Sequence, residues 1–459
     1  MQYLLLLKAA SARATRVSIA LLILAALLVS SPAAGQIQFS FQFSFSNPGA
    51  RSLGFGGAFV GLADDATAAF ANPAGLLQLV EPEVSIEGRA WSYSTPYTAT
   101  GRVSGQPTGI GLDTHTGIQL ERSEADLSGL SFLSFVYPKE KWSLAFYRHQ
   151  LANFESSSET QGIFFADPGG SGLVSFEDSL RLPDQRGTVD LEIVSYSLAA
   201  AFRVHESLSL GIGLSYFEGT QRVRSEAYFW DEDTLEGFFG ENSFLPERHW
   251  FDAALNADGT DWGLTAGLLW NFAERWRLGA SYRQGAELDG RLALQAGPIL
   301  SEIGPDTLIE VFTPIKYPDV YGLGLAFRSA DGRWTGSFEW DRVGYSVIMD
   351  SIREIEDKDP RFNFPETIDD GNELHLGGEY AFLRTTPLVA VRLGAWLDPD
   401  HRVSSETSDE TSTALFRSGD DEIHYAVGVG VAFKRFQIDL AADFSDLVDT
   451  VALSAIFAF

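Results

Sequence analysis

From about residue 84 to its end the chain alternates apolar with polar or small residues at a period of two. Past residue 35 no apolar run reaches the ~18 residues that a spanning helix needs. The last stretch, DTVALSAIFAF, carries the pattern most plainly. Val451, Leu453, Ala455, Phe457 and Phe459 share one face, while Thr450, Ala452, Ser454, Ile456 and Ala458 share a smaller one. The same alternation recurs in EIHYAVGVGVAF (422–433), FQIDLAADFSD (436–446) and RWRLGASYRQ (275–284). A soluble sandwich alternates too, so the pattern identifies strands without their setting.

The spacing of the strands narrows the choice. Strands are expected near 84–94, 127–137, 141–152, 188–203, 207–222, 262–271, 275–287, 319–328, 333–346, 372–382, 388–397, 422–433, 436–445 and 449–459, fourteen in all. Short connections (PKEK, VHES, FAER, SADG, LRTTP, KR) alternate with long ones near 95–126, 153–187, 223–261, 288–318, 347–371 and 398–421; the SDLVD hairpin is the exception. Sorting short turns to one rim and long loops to the other is the habit of an antiparallel outer-membrane β-barrel. Trp91, Trp142, Trp262, Trp270, Trp276, Trp334, Trp340 and Trp396 fall within or at the ends of these strands, as interfacial rings would.

Residues 1–35 hold Lys8, Arg13 and Arg16, no acid, then VSIALLILAALLVSS and the small-residue stretch PAAGQ. This reads as a secretory signal peptide cut near Ala34 or Gly35. There is no Cys, hence no disulfide framework and no lipid anchor on a thiol. Asp and Glu number 62 against 33 Lys and Arg, and runs such as DEDTLEG (231–237), DDGNE (369–373) and SGDDE (418–422) sit in the long connections. Such a field repels nucleic acid. No linker or low-complexity block divides the chain after the leader, so one domain is expected.

Between leader and first strand lies SLGFGGAFVGLADDATAAFANPAGLLQL (52–79), rich in Gly and Ala, with Asp64 and Asp65 its two charges. Either Asp suits a helix N-cap, DATAAF a turn or two of helix, and Asn72 before Pro73 a stop, with Gly75 free to turn left-handed. Fourteen strands enclose a lumen that leaks unless filled. A plug over residues 36–82, inside a barrel over 83–459, is the expectation; a solvated tail is the alternative.

The string GARSLGFGGAFVGLADDATAAFANPAGL, followed by a barrel-like chain ending in Phe459, resembles the FadL/TodX family of Gram-negative outer-membrane transporters for hydrophobic compounds. The resemblance implies a fourteen-stranded barrel with an N-terminal hatch, and passage of fatty acids or hydrocarbons through a lateral opening in its wall. It makes Asn72, Pro73 and Ala74 the hatch signature, with Gly75, Asp64 and Asp65 beside it. It makes Phe459 the terminal aromatic used by the outer-membrane insertion machinery. Hydrophobic cargo, outer-membrane lipids and lipopolysaccharide are the implied partners. QIQFSFQFSFS (36–46) departs from the family pattern.

A wall opening needs a lapse in strand pairing, and bulges supply one. In KWSLAFYRHQLANF the parity of Trp142, Leu144 and Phe146 gives way to that of Tyr147 and Leu151, which points to a kink over Phe146, Tyr147, Arg148 and His149; emergence from the membrane at this point is the other reading. Acidic loops disfavour a fatty carboxylate slightly over neutral cargo. Arg89, Arg148 and Arg283 are the basic residues whose placement bears on this.

Motifs of catalysis are lacking. GFGG has no following Lys-Ser/Thr, the seven His are scattered, HES at 205–207 does not continue as a zinc-protease motif, and no Gly-x-Ser-x-Gly occurs. No enzyme activity, cofactor or metal is expected. A barrel serving assembly or secretion of surface proteins, a general diffusion porin and an exported soluble β-rich enzyme remain as other readings.

Overall fold

The alternation closes into an antiparallel barrel of fourteen strands in the computed structural model. The structure describes residues 45–166, 175–176, 179–230, 234–241, 243–298, 307–358, 366–405, 407 and 410–459. The leader and residues 36–44 of the alternating segment lie outside the described residues. The strands are β1 (Glu83–Arg102), β2 (Gly117–Pro138), β3 (Trp142–Thr160), β4 (Asp184–His205), β5 (Leu208–Tyr228) and β6 (His249–Ala273). Then come β7 (Trp276–Arg283, resuming as Glu287–Ala296) and β8 (Thr307–Lys316, resuming as Val320–Arg328). The rest are β9 (Trp334–Val343), β10 (Gly371–Phe382), β11 (Leu388–Asp398), β12 (Glu422–Ala432), β13 (Phe436–Phe444) and β14 (Val448–Ala458). Each pairs with the next, and β14 closes on β1 from Glu83↔Ala458 to Tyr93↔Val448.

Outward faces form an apolar belt that includes Phe135, Leu144, Leu198, Ile212, Leu264, Leu393 and Leu453, all exposed. In water so large a patch invites aggregation; against lipid it is the matching surface. Aromatic pairs mark both margins: Trp276 with Phe327 and Trp334 with Tyr380 toward the short-turn rim, Tyr216 with Trp262 and Tyr282 with Tyr321 toward the other. On β14 the bulky parity faces out and the small parity in: Val451, Leu453 and Phe457 are exposed, Ala452 and Ser454 buried.

Two expectations need correction. Much of the chain expected as long loops is strand, because β1 runs on to Arg102, β2 starts at Gly117, β3 ends at Thr160, and β5 to β8 extend likewise. Beyond the apolar belt the outer face becomes polar, as at Glu121, Arg122 and Glu124, so the outward half of the alternation fades while the backbone ladder continues. The second concerns the tryptophans. Trp142, Trp262, Trp270, Trp276 and Trp334 do face outward, but Trp396 is turned into the lumen by the parity of β11, and Trp91 lines a lumen cavity.

Described residues 45–82 fill the lumen toward the short-turn rim. Their helices are single turns, Ala50–Gly54 and Ala68–Ala71, followed by a 3-10 helix over Pro73–Gln78. Small residues on the wall let this backbone lie against the strands. A Cβ at Gly211 of β5 would collide with Pro73 and Ala74, one at Gly267 of β6 with Asn72, one at Gly279 of β7 with Val60, and one at Gly324 of β8 with Gly61. Gly377 of β10 and Gly394 of β11 meet Phe55 and Gly56 in the same way. Ala441, Ala452, Ala199 and Ala201 continue the belt on β13, β14 and β4. Phe55, Phe59 and Leu62 are fully buried between hatch and wall, each contributing about 1.5–3 kcal/mol relative to exposure.

Gly267→Leu is expected to unseat the hatch, raising sucrose permeability of proteoliposomes at least severalfold, whereas Gly336→Ala on the outer face leaves it unchanged; a swelling assay reads both.

Candidate functional site

Asn72 links hatch to wall. Its Nδ2 donates to the carbonyls of Val60 (2.9 Å) in the hatch and Leu268 (3.0 Å) on β6, and its Oδ1 accepts from the Ala74 N–H (3.2 Å). It is fully buried, so these bonds form out of contact with water. Pro73 opens the 3-10 helix, where its missing N–H goes unneeded. Gly75 is not left-handed as expected. A Cβ there would strike Ala63, so the position demands smallness rather than positive φ, and Ala63 itself carries the positive φ of 34°.

Asp64 and Asp65 part company. The Asp64 carboxylate meets Arg51 of the hatch (2.5 Å), Arg328 at the end of β8 (2.6 Å) and Arg277 of β7 (3.9 Å). Burial alone would push it up; the three guanidiniums hold it at about 2. Asp65 accepts from Thr67 N–H (2.9 Å) and Thr67 Oγ1, just ahead of the helix Ala68–Ala71, and burial raises its pKa because Arg51 is farther off at 3.4 Å. Arg51 also reaches Glu379 of β10 at 3.4 Å, and Glu379 pairs with Arg392 of β11 at 2.7 Å. The hatch is thus fastened to the wall on several sides by charge.

One fastening had no signal in the sequence. Where the glycine belt crosses β9 the lumen-facing residue is Glu339, whose carboxylate accepts the backbone N–H groups of Phe59 (2.6 Å) and Val60 (2.5 Å). It satisfies two buried donors that no neighbouring carbonyl reaches among the described residues.

On the long-loop side of the hatch the lumen wall is apolar, with Tyr93, Phe154, Leu191, Ile193, Phe217 and Leu288 buried in one cluster. A small cavity of mixed lining lies between this layer and the hatch, bordered by Asn47, Gly56, Arg89, Trp91, Leu151, His375, Trp396 and Asp443. Its ceiling is a second cluster in which Ile118, Ile163, Val343, Tyr345 and Phe416 come together from the long connections. The hatch residue Phe70 stands at the cavity's edge, 4.3 Å from the His149 ring, with the Arg283 guanidinium 4.9 Å above it. Arg89 is neutralised by Glu87 at 2.9 Å, while Arg148 lies toward the outer face, bonded to the Leu130 carbonyl.

The kink expected over Phe146–His149 is displaced. Through those residues β3 pairs without interruption to β2 (Phe135↔Phe146 to Phe132↔His149) and to β4 (Phe146↔Leu198 to His149↔Ser195). Tyr147 and His149 face the lumen and Phe146 the lipid, so Tyr147 does not continue an outward parity; inside this barrel an aromatic is as much at home in the lumen as outside. The register shift falls between Gln150 and Ala152, at Leu151. There β2–β3 pairing also stops. Past Phe132↔His149 no register pair joins the two strands, and they meet again only where Ser157 N–H donates to Ser123 Oγ (2.9 Å). The gap opens from the outer edge of the apolar belt onto Leu151 and the cavity behind it.

A family model described as outer membrane protein transport protein (OMPP1/FadL/TodX) matches residues 173–451. The chain belongs to this family. It is an outer-membrane protein of the Gram-negative type, so the short-turn rim faces the periplasm and the long connections face outward. No curated protein matches the chain. Among solved structures it is similar to a Pseudomonas aeruginosa FadL homologue, with a TM-score of 0.59 at 14% identity over 92% of this chain and 100% of that one. It is also similar to the P. putida toluene transporter TodX (0.53, 13%, 91% and 99%) and to the CymD monoaromatic hydrocarbon channel (0.52, 16%, 91% and 99%). These likenesses concern the fold, and they span the barrel that the FadL/TodX model matches only in part. Phe459, the terminal aromatic, sits at the periplasmic rim with its N–H on the Pro82 carbonyl (3.1 Å) and its ring stacked on Phe457 and Phe135.

Asn72→Ala removes the donor from two buried carbonyls, a loss of about 2 kcal/mol; hatch amides should then exchange roughly thirtyfold faster by hydrogen exchange. The Asp64 latch has a pH signature of definite sign. Its folded pKa of about 2 lies below the ordinary 3.8, so its contribution is full above about pH 4 and is lost as pH falls toward 2. Protease protection of the hatch in wild type should follow that window, and in Asp64→Asn the window should vanish.

Proposed function

We propose that the chain carries hydrophobic small molecules, long-chain fatty acids or neutral hydrocarbons, across the lipopolysaccharide layer and releases them sideways into the outer membrane. The observation that carries this reading is the unpaired span between β2 and β3, at the edge of the apolar belt and directly over an apolar lumen layer. Cargo that leaves through such a gap passes from the apolar lumen layer to lipid without entering the periplasm. Each methylene kept out of water is worth about 0.8 kcal/mol. The seated hatch supports the same route, because solute that cannot descend must exit through the wall. It also disfavours a general diffusion porin, and the apolar lumen layer disfavours an assembly or secretion role.

In this reading Asn72, Pro73, Ala74 and Gly75 keep the hatch seated, Asp64 and Asp65 fasten it, and the gate is the Leu151 bulge above Phe146–His149. His149 and Phe70 form its inner edge. Both cargo classes stay within the proposal. The outer loops are acidic, yet Arg283 lines a neighbouring lumen pocket with Phe70 and Phe217, without a carboxylate ion pair among the described residues, which would suit an acid head group. Phe459 is proposed as the signal for the insertion machinery, and no catalytic role is assigned.

The chain has no cysteine, which makes cross-linking clean. A Cβ at Gly129 of β2 would lie 2.9 Å from the Gln150 side chain of β3, so Gly129→Cys with Gln150→Cys spans the gap. Joining the two with a short bismaleimide is expected to cut uptake of labelled fatty acid or hydrocarbon at least about tenfold, with the unjoined double variant near wild type. Undiminished uptake after cross-linking would place the exit elsewhere.

A further inference from the structure

The wall beside the hatch holds a set of side chains that transport does not explain. On β9 and β10, Glu339 lies opposite His375 and Asp341 opposite Glu373, all facing the lumen. Like charges directly opposite on adjacent strands repel, and here they do so with 5% and 7% of their surfaces exposed. Glu339 is occupied by hatch N–H groups. Arg283 is the guanidinium that acts on Glu339, and it is engaged with Asn47 Oδ1 and the Phe70 ring. For Asp341 and Glu373 together the described residues offer one imidazole in contact, His375, while His401 lies farther off behind the Tyr345 ring and pairs with Asp398, and a buried carboxylate pair left with less than its balancing charge is strongly unfavourable.

The geometry has the form of a ligand set. Oxygens of Asp341 and Glu373 and a nitrogen of His375 lie within 4.8 Å of one another. Asp341 Oδ1 is buried with no hydrogen-bond partner, and so is Ser281 Oγ; both converge over Gly322, where a Cβ would stand 2.6 and 2.7 Å from them. His375 Nδ1–H donates to the Gly56 carbonyl of the hatch at 2.8 Å, which fixes the tautomer and leaves Nε2 facing Glu373 Oε2 at 3.3 Å. A backbone carbonyl on the far nitrogen is the usual outer support of a metal-binding histidine. The Tyr345 hydroxyl donates to Glu373 Oε1 at 3.1 Å and orients that carboxylate in turn. His375 borders the lumen cavity, so an ion has a way in.

We propose that Asp341, Glu373 and His375 bind one divalent transition-metal cation of the zinc class, with water or Ser281 completing its shell. One imidazole with two carboxylates suits zinc-like ions, whereas calcium and magnesium favour all-oxygen sets. The ion ties β9 to β10 and, through His375 and Gly56, steadies the hatch. The site borders the lumen cavity through His375, but binding of the ion does not depend on which solute is carried.

The test uses the full-length barrel in detergent, stripped with chelator and titrated with Zn²⁺ by calorimetry. One tight site is expected, weakened more than about tenfold in Asp341→Asn and in Glu373→Gln, at least the loss that even an outer-shell change brings to a metal site. Gel mobility of the unheated barrel reports that each variant is folded. Equal affinity in wild type and folded variants would put the ion on the acidic loops and overturn the proposal. So would no binding, which would leave a plain carboxylate–imidazolium contact. X-ray absorption of Co²⁺ bound to the wild-type protein needs no variant: imidazole scattering is expected, and an all-oxygen shell would also overturn it.

Discussion

Backbone pressed against backbone is the constraint on which this molecule depends. A plug inside a barrel has polar peptide groups on its surface and little water to satisfy them, so it must either present side chains to the wall or bring its own chain into contact. This hatch does the second, and contact at that range is open only where the wall has no side chain. The glycines of β5 to β8, β10 and β11, with alanines on β4, β13 and β14, provide it. Peptide groups that the close approach leaves unpaired are taken up by two side chains, Asn72 from the hatch and Glu339 from the wall.

Seating the hatch shapes the rest of the path. With the periplasmic end filled, the volume left in the lumen lies above Phe70, where the polar and charged side chains next to the hatch, Arg89, His375 and Asp443 among them, give way to an apolar layer. The wall beside that volume is where β2 and β3 separate. Loss of ladder bonds is tolerable at this place because Arg148 of β3 reaches across to the Leu130 carbonyl of β2, and Gln150 stands against Gly129. Most of the negative charge stays out of the apolar layer, which holds no carboxylate.

The barrel was legible because lipid imposes a strict period. Each segment expected as a strand overlaps an observed one, and the two faces of β14 follow directly from which residues are large. What lay beyond the apolar belt was not legible, since a strand with water on its outer side no longer needs an apolar outward face. The hatch signature could be read from Asn72-Pro73, but not its partners. Gly211 and Gly267 differ from other strand glycines only by pointing inward, and inward parity cannot be assigned past a bulge that is itself unseen. Leu151 shows the difficulty: Tyr147 looked like the start of a changed parity, whereas the register moves four residues later. Glu339 was one carboxylate among 62, and Asp341 meets Glu373 only through the pairing of β9 with β10.

The measurement that bears most directly on this account is solute selectivity of the purified protein in liposomes, comparing labelled long-chain fatty acid and a neutral hydrocarbon with a small sugar. A seated hatch beneath an apolar lateral exit predicts protein-dependent transfer of the apolar solutes to the bilayer and exclusion of the sugar. Free passage of the sugar would contradict it, because the hatch would then not close the lumen.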